Sequence, residues 1–446
     1  MKVKKFTLPA LAGVPLIMVL GNSLLIPVLP AVQKALNISN VQVSLIITLF
    51  SVPAGIVIPL AGFLSDRFGR KKVIIPSLVL YGLGGVVAAL AAFFLKEKAF
   101  AVILAGRVIQ GIGAAGTAPI AMALCGDLWQ GKQRAKSLGV IEASNGMGKV
   151  ISPVLGAVLG TILWYAAFVF FPAIVIPVVL AMWILVKEPK QQREPPLLKE
   201  YARTIKQIFK NKSPLLLSCF FAGATALFLL FGVLFFLSDY LEKVLVLNGV
   251  IKGLALAVPV LFMSTTSYIT GAFIKKQVAL MKILVVTGLI LLSVSLGLLP
   301  LLKGVYMFFA AISAAGIGTG LILPCLNMLI TSTTATEERG MVTSLYGSVR
   351  FFGVAFGPPV FGWLMNFGQP VMFWSAAALA GAAAAVSFFF IRIKAIKNAP
   401  NKHREKEQLK NKRYSGYLAP TPEPARKPLN NHHYKDQVNN GQRNNR

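Results

Sequence analysis

The chain has 446 residues, of which 56% are hydrophobic and 13% are charged, and its mean hydropathy is +0.70. Soluble domains carry about 25% charged residues, so this composition excludes an ordinary soluble protein and indicates one that crosses a membrane several times. The formal charge of +30 would suit nucleic-acid binding on a charge-rich soluble face, but the long apolar stretches between the basic residues exclude that class.

Twelve apolar stretches are long enough to cross a hydrocarbon core about 30 Å thick, which takes about 20 residues. We number these predicted spans 1 to 12: 8–30, 42–64, 73–95, 100–124, 137–160, 162–187, 214–238, 250–273, 282–300, 304–329, 340–366 and 371–393. They predict an all-α integral membrane protein with twelve transmembrane helices. The charged loop 188–213 divides them six and six, so we expect two bundles, 1–187 and 214–393, joined by a cytoplasmic linker.

The distribution of positive charge predicts the orientation. Thirty-six Lys and Arg residues lie at the N-terminus, in the even-to-odd connections and after span 12, against six in the odd-to-even connections. Cytoplasmic loops carry the excess of Lys and Arg, so both termini are expected in the cytoplasm. Residues 394–446 are rich in Lys, Arg, Asn and Pro, and we expect them to form a disordered basic tail.

The loop between spans 2 and 3, residues 62–72, combines glycines, a carboxylate and four basic side chains. Asp66 lies beside Arg67 and Arg70, and such a carboxylate can form a charge-assisted latch at a helix end. Asp127 and Arg134 flank the loop between spans 4 and 5, and we expect a matching latch there.

This loop resembles the signature loop of the major facilitator superfamily. The matching positions are Gly62, Leu64, Asp66, Arg67, Gly69, Arg70 and Lys71. The resemblance extends over about residues 8–393. It implies two pseudo-symmetric six-helix bundles and a loop that governs the switch between inward-open and outward-open states.

Span 4 contains Arg107, Gln110 and Gly111, and it is similar to a motif of that family in which the arginine is linked to proton coupling. An arginine inside a membrane is costly unless it is paired or hydrated. Arg107 can hold a nearby carboxylate deprotonated, or it can be satisfied by backbone carbonyls and by Gln110. Gln110 is also predicted to line the substrate path.

Span 5 resembles the antiporter motif of drug exporters, in which glycines surround a Gly-Pro pair. The motif positions are Gly139, Gly148, Pro153 and Gly156, with Gly357 and Pro358 repeating the pattern in span 11. Ser152 and Ala157 stand where the pattern has glycine. Both residues are small, so close helix packing is still expected.

Span 5 also carries Glu142, Asn145 and Lys149 on one helix face. A carboxylate in a medium of low dielectric favours its protonated form, which suits a proton carrier, although Glu142 can equally lie at the membrane interface with ordinary solvation. Lys149 can contact an anionic substrate or pair with Glu142. Asn145 and Lys149 are predicted to line the substrate path, and Arg350 in span 11 is expected either to line it too or to be structural.

A shift of 205 residues aligns spans 4 and 5 with spans 10 and 11 without a gap. The aligned pairs are Gly111 with Gly316, Gly113 with Gly318, Pro119 with Pro324, Arg134 with Arg339, Gly148 with Gly353, and Pro153 with Pro358; Arg350 aligns with Asn145. Two halves related by a repeat are the plan of secondary transporters, whose substrate site lies between the halves near the bilayer midplane.

The sequence predicts no catalytic site, so we do not expect an enzyme. The three histidines, His403, His432 and His433, follow the last span, and the three cysteines, Cys125, Cys219 and Cys325, lie in apolar stretches. The spans therefore hold no histidine for a metal centre or for a catalytic triad, and we expect no cofactor and no metal.

The resemblance implies a proton-coupled multidrug antiporter that exports amphiphilic compounds by alternating access. Its expected partners are the substrate, protons and the lipid bilayer of the cell membrane, with no nucleic acid, and the protein is expected to be a monomer. One alternative is export of an endogenous anionic metabolite such as a siderophore, a sugar phosphate or a lipid-linked sugar, which the excess of buried cations favours. Another is a transporter-like membrane sensor that acts through its basic tail.

Overall fold

The structure is a computed structural model that describes residues 6–188, 198–274, 277–333 and 339–391. The side chains of 132, 135, 198–202, 204–213, 333 and 339 are not described. The expected basic tail, 394–446, and part of the expected linker therefore lie outside the described residues.

Within the described ranges all regular structure is helical. The helices are α1 (Thr7–Ser23), α2 (Leu29–Leu36), α3 (Asn40–Phe68), α4 (Arg70–Leu95), α5 (Phe100–Ala115), α6 (Ala118–Leu128), α7 (Gly131–Ile162), α8 (Ala166–Leu185), α9 (Leu198–Lys243), α10 (Gly249–Phe273), α11 (Val278–Leu298), α12 (Val305–Thr333), α13 (Arg339–Leu364) and α14 (Gln369–Phe390). Short 3₁₀ turns occupy Ile26–Val28, Lys96–Ala99, Leu299–Leu301 and Met365–Phe367.

Nine segments of the described chain are long and apolar enough to cross a membrane. One of them, Arg70–Leu128, is 59 residues long, and it folds back on itself because α4 packs against α5. The more polar helices α7 and α13, at predicted spans 5 and 11, are not among the nine. The chain is thus an all-helical, multi-pass membrane protein, and the count of twelve spans remains a prediction.

Two predicted spans are broken rather than continuous. Span 1 divides into α1, a 3₁₀ turn and α2, where Pro27 and Pro30 lack the N–H that a continuous helix needs. Span 4 divides into α5 and α6 at Gly116 and Thr117, two residues before Pro119. In contrast, α9 begins at Leu198, so residues 198–213, which the sequence assigned to a linker loop, continue as helix into span 7.

Residues related by the 205-residue shift lie in equivalent contacts. A Cβ built at Gly111 would overlap the carbonyl of Phe50, and one built at Gly316 would overlap the carbonyl of Pro259. Glycine is required in both places because two backbones touch. The internal repeat in the sequence therefore corresponds to a repeated packing of α5 on α3 and of α12 on α10.

The two predicted halves meet along two helix pairs, α3 with α13 and α7 with α10. Gly69, between α3 and α4, marks one end of the helices, which we call the signature-loop end. At the other end, α2 packs against the Lys96–Ala99 turn and against α9; we call this the opposite end.

Candidate functional site

Two cationic side chains, Lys149 of α7 and Arg350 of α13, approach each other from the two predicted halves. Arg350 is close enough to act electrostatically on Lys149. In the described part of the chain, neither forms an ion pair within 4.0 Å. Two like charges in a half-buried setting repel each other and attract an anion.

Unpaired polar atoms surround these cations. The Arg350 guanidinium carbon lies 5.3 Å from the centre of the Tyr346 ring. Among the described residues, the Arg350 Nε, the Tyr346 hydroxyl and the Asn145 Oδ1 are buried without a hydrogen-bond partner. Buried polar atoms are normally paired, so this cluster has donors and an acceptor to offer a bound molecule. Tyr346 was not predicted from the sequence, although it lies one helical turn before Arg350.

Glu142 lies seven residues before Lys149 on α7 and acts electrostatically on it. Its side chain is exposed, so the carboxylate does not sit in a sealed apolar site. Glu142 and Arg350 therefore both lie within electrostatic range of Lys149. The role of Glu142 in proton coupling stays a prediction.

Arg107 is fully buried in the first predicted half and is satisfied by neutral acceptors. It donates to the carbonyls of Ile46 (2.9 Å) and Gly21 (2.8 Å), to Asn22 Oδ1 (3.0 Å) and to Gln110 Oε1 (2.6 Å). Its guanidinium also lies 4.3 Å from the centre of the Phe50 ring, within the range of a cation–π contact. Arg107 therefore joins α1, α3 and α5. This arrangement matches the alternative in which carbonyls and Gln110 satisfy the arginine.

Gln110 is fully buried beside Arg107, and it is not in the cluster around Lys149 and Arg350. The residues 205 positions after Arg107 and Gln110 are Ile312 and Ala315, which line a small apolar cavity in the second half. The repeat thus conserves the backbone packing but not the buried charge.

The glycines of the predicted antiporter motif differ in their surroundings. A Cβ at Gly156 would overlap the Leu24 carbonyl, and one at Gly148 would lie 2.8 Å from Leu16 Cδ1. A Cβ at Gly357 would overlap the Phe228 carbonyl. At Gly139, no atom of the described chain lies within 4 Å of such a Cβ. Pro153 and Pro358 lie inside α7 and α13.

Three of the predicted latch residues, Asp66, Arg70 and Asp127, come together at the signature loop. Arg70 bonds Asp66 at 2.6 Å and Asp127 at 3.3 Å, so one guanidinium ties the end of α3 to the end of α6. Gly69 has a φ of +111°, which only glycine adopts without strain. A Cβ at Gly62 would lie 3.1 Å from Ser344 Oγ of α13, so the loop adjoins the second half.

Arg67 and Arg134 take other positions than expected for a latch. Arg67 is exposed and lies over the Phe68 ring at 5.7 Å. The Arg134 guanidinium lies beside Gly126, whereas the ion pair of Asp127 is with Arg70. Glu188, which was not predicted, accepts from the Lys71 backbone N–H at 3.2 Å, near the first turn of α4 where a negative charge is favourable.

At the opposite end, Lys252 of α10 is the main residue that the sequence analysis missed. Its ammonium donates to the Pro27 carbonyl at 2.7 Å and to Glu242 at 2.5 Å. Ser238 donates to the Ile26 carbonyl at 2.9 Å. The available signal was the position of Lys252, ten residues after Glu242 and at the start of an apolar span. Without the fold, this position indicated a solvated loop.

The profile of the Major Facilitator Superfamily matches residues 11–302 and 253–435. The chain belongs to this superfamily. Its members are membrane transporters, so the chain is a transporter of a small-molecule substrate and its relatives are not enzymes.

Two curated relatives with different named substrates differ in their identity to this chain. The bacillibactin exporter of Bacillus subtilis (strain 168) is 48% identical over 366 residues, which cover 82% of this chain and 91% of the exporter. The multidrug transporter protein MdtP of the same organism is 26% identical over 72% of this chain and 68% of that protein. The sequence identity is therefore much greater to the bacillibactin exporter than to MdtP.

Among solved structures, the human organic anion transporter MFSD10 (TETRAN) superposes with a TM-score of 0.67. The match covers 87% of this chain and 100% of that chain at 19% identity. At this identity the likeness concerns the fold, and it agrees with the all-helical architecture described above. Among the described residues, no group of three or more His, Cys, Asp or Glu side chains could hold a metal ion.

Proposed function

We propose that this transporter exports an anionic siderophore across the cytoplasmic membrane, with the Lys149–Arg350 pair as the recognition site for its negative charge. The observation that carries the proposal is this pair of unpaired cations, one from each half. A siderophore binds ferric iron through anionic oxygen atoms, and such oxygens are good acceptors for a guanidinium and an ammonium.

The comparison with known proteins supports the same substrate class. The relative that exports bacillibactin matches 82% of this chain at 48% identity, whereas the multidrug relative MdtP is 26% identical. Multidrug export, which the sequence analysis placed first, is therefore the less well supported hypothesis. The anionic alternative from the same analysis takes its place.

The transport cycle we infer uses both termini in the cytoplasm, twelve spans and two bundles that rock around the central site. Lys149 and Arg350 lie on opposite halves, so an anion bound between them cancels the repulsion that separates the halves. Exchange of the substrate for protons by a monomer completes the proposal, and Glu142 and Arg107 stay the candidates for proton coupling.

Export can be measured in everted vesicles that carry the full chain and generate an acid-inside pH gradient. Bacillibactin is the probe, and its accumulation in the lumen is the readout. We expect accumulation by the wild type. We expect a loss of about tenfold or more for Lys149→Met and for Arg350→Met, since each removes a charged hydrogen bond worth about 1.5–3 kcal/mol.

The matched control is Lys303→Met, which removes an exposed lysine from the opposite end and should leave accumulation unchanged. Lys149→Arg should retain part of the activity because the charge remains. Equal accumulation by the wild type and by both Met variants would contradict the proposed site. Transport of cationic dyes without transport of bacillibactin would return the protein to the multidrug class.

A further inference from the structure

Lys252 connects the two predicted halves of the protein through one buried ammonium group. Its side chain is 3% exposed. Its acceptors are the backbone carbonyl of Pro27, in the break of the first span, and the carboxylate of Glu242, near the end of α9. The Pro27 bond therefore crosses from the second half to the first, whereas the Glu242 bond stays within the second half.

The proline break explains why acceptors are available at this place. In a continuous helix the carbonyl of Ile26 would accept from the N–H of residue 30, but Pro30 has none. This carbonyl accepts instead from the Leu29 N–H of the 3₁₀ turn and from the Ser238 hydroxyl, the latter at 2.9 Å. Two successive carbonyls, at Ile26 and Pro27, thus receive donors from α9 and α10. We call Ile26, Pro27, Ser238, Glu242 and Lys252 the opposite-end junction.

Close backbone packing surrounds the junction. A Cβ at Gly253, the residue after Lys252, would lie 2.8 Å from Val154 Cα and 3.0 Å from the Pro153 carbonyl of α7. Toward the signature-loop end of α7, the Cβ positions of Gly139 and Gly146 have no described atom within 4 Å. Helices α7 and α10 are therefore in tight contact near Lys252, whereas the described structure leaves open space beside Gly139 and Gly146 on a helix whose Ser137 and Ile141 are buried.

The arrangement of charges allows the bond between Lys252 and the Pro27 carbonyl to break and re-form. If the halves separate here, Lys252 loses the neutral Pro27 carbonyl but retains Glu242, which moves with it on the second half. Asp239 also acts on Lys252, although its own ion pair is with Lys243 at 2.7 Å. Opening therefore breaks one bond to a neutral acceptor and leaves no bare ammonium, which would be costly.

We propose that Lys252 is a further residue of the transport cycle: it holds the opposite end closed, and its bond to Pro27 must break before the central site opens to that side. Glu242 and Asp239, near the end of α9, form the charged surroundings of this contact. The inference requires alternating access, and it does not depend on the identity of the substrate.

The test measures how often the junction opens. Cys125, Cys219 and Cys325 are replaced by serine or alanine, and one reporter cysteine is introduced at Ala157 or at Val28, which are 5% and 1% exposed. The purified full chain is placed in lipid nanodiscs, where both faces meet the reagent, and the rate of labelling by a hydrophilic maleimide is measured. The result then does not depend on which face is outside.

We expect Lys252→Met to raise the labelling rate about tenfold at both reporters, because the loss of one charged hydrogen bond shifts the equilibrium by about this factor. Glu242→Gln retains an acceptor and the Pro27 bond, so a smaller rise is expected. In the control variant Lys303→Met, which changes an exposed residue, the reporter cysteine should be labelled at the wild-type rate.

Folding is checked by monodisperse elution, and Lys252→Leu, which also cannot donate to the Pro27 carbonyl, replaces Lys252→Met if the latter does not fold. An unchanged labelling rate at both reporters in a folded Lys252 variant would overturn the proposal. A rise of the same size with Lys303→Met would also overturn it, since the effect would then follow from any loss of charge. Failure of siderophore export would leave this result intact.

Discussion

Arg107 illustrates how a buried charge persists in an apolar helix bundle without an acidic partner. Four hydrogen bonds to neutral oxygens and the face of Phe50 surround its guanidinium. Three of these acceptors belong to α1 and α3, so the arginine connects helices that are far apart in the sequence. Its removal would leave buried acceptors without donors, and each such group costs about 1–3 kcal/mol.

We therefore expect Arg107→Met to lower the free energy of unfolding by about 3 kcal/mol or more. The measurement is the thermal unfolding midpoint of the purified protein in detergent. Arg67→Met is the matched control, because Arg67 is exposed and surface substitutions usually change stability by less than about 0.5 kcal/mol. A midpoint for Arg107→Met equal to that of the control would mean that these hydrogen bonds do not hold the helices. The predicted role of Arg107 in proton coupling would then become the better explanation for its presence.

At the scale of the helices, the glycines of the α7 motif lie in two different surroundings. Gly156 faces the Leu24 carbonyl in direct contact, and Gly148 faces Leu16. Gly139 has open space at its Cβ position within the described structure. The same residue type at motif spacing thus packs tightly at one end of the helix and loosely at the other. This difference agrees with a helix that is fixed near the opposite-end junction.

This difference predicts opposite effects for two similar substitutions. Gly156→Ala should reduce the yield of folded protein and lower its unfolding midpoint, because the new methyl group collides with backbone. Gly139→Ala should keep or slightly raise the midpoint, since alanine is favoured over glycine in a helix by about 1 kcal/mol. Both variants are compared by thermal unfolding in one detergent. A stable Gly156→Ala protein would contradict the tight contact between α7 and α1.

At the scale of the whole molecule, two charge clusters stand at the two ends of the halves. Arg70 ties Asp66 to Asp127 at the signature-loop end, and these bonds stay within the first half. Lys252 reaches from the second half to the first at the opposite end. The central cations Lys149 and Arg350 lie on helices from different halves. A rocking motion of the halves would therefore change the surroundings of Lys252 and of the central cations more than those of Arg70.

At this scale, deletion of the basic tail distinguishes a transporter from a tail-driven sensor. Deletion of residues 398–446 should leave the transport of bacillibactin in everted vesicles near the wild-type level, because the charged sites described above all precede residue 391. The amount of protein in the membrane is measured in parallel. Loss of a cellular phenotype with full retention of transport would support the sensor hypothesis instead.

The sequence was sufficient for the class of protein, for the superfamily and for the approximate positions of the apolar helices, although it assigned residues 198–213 of α9 to a loop. Hydrophobic length and the bias of positive charge act locally along the chain, so they can be read without a fold. The Asp66–Arg70 pair was predicted for the same reason, since its two members are one helical turn apart. Asp127 could be proposed for a latch, but its partner in the structure is Arg70 rather than Arg134.

Contacts between distant helices depended on the folded arrangement. The Arg107 cluster joins residues of α1, α3 and α5, and the Lys252 junction joins residues more than 200 positions apart. In an apolar chain, any charged residue near the end of a span is compatible with a solvated loop or with a buried bond. The choice between them depends on whether another helix presents a free carbonyl or a carboxylate there, and no local pattern of residues specifies that neighbour.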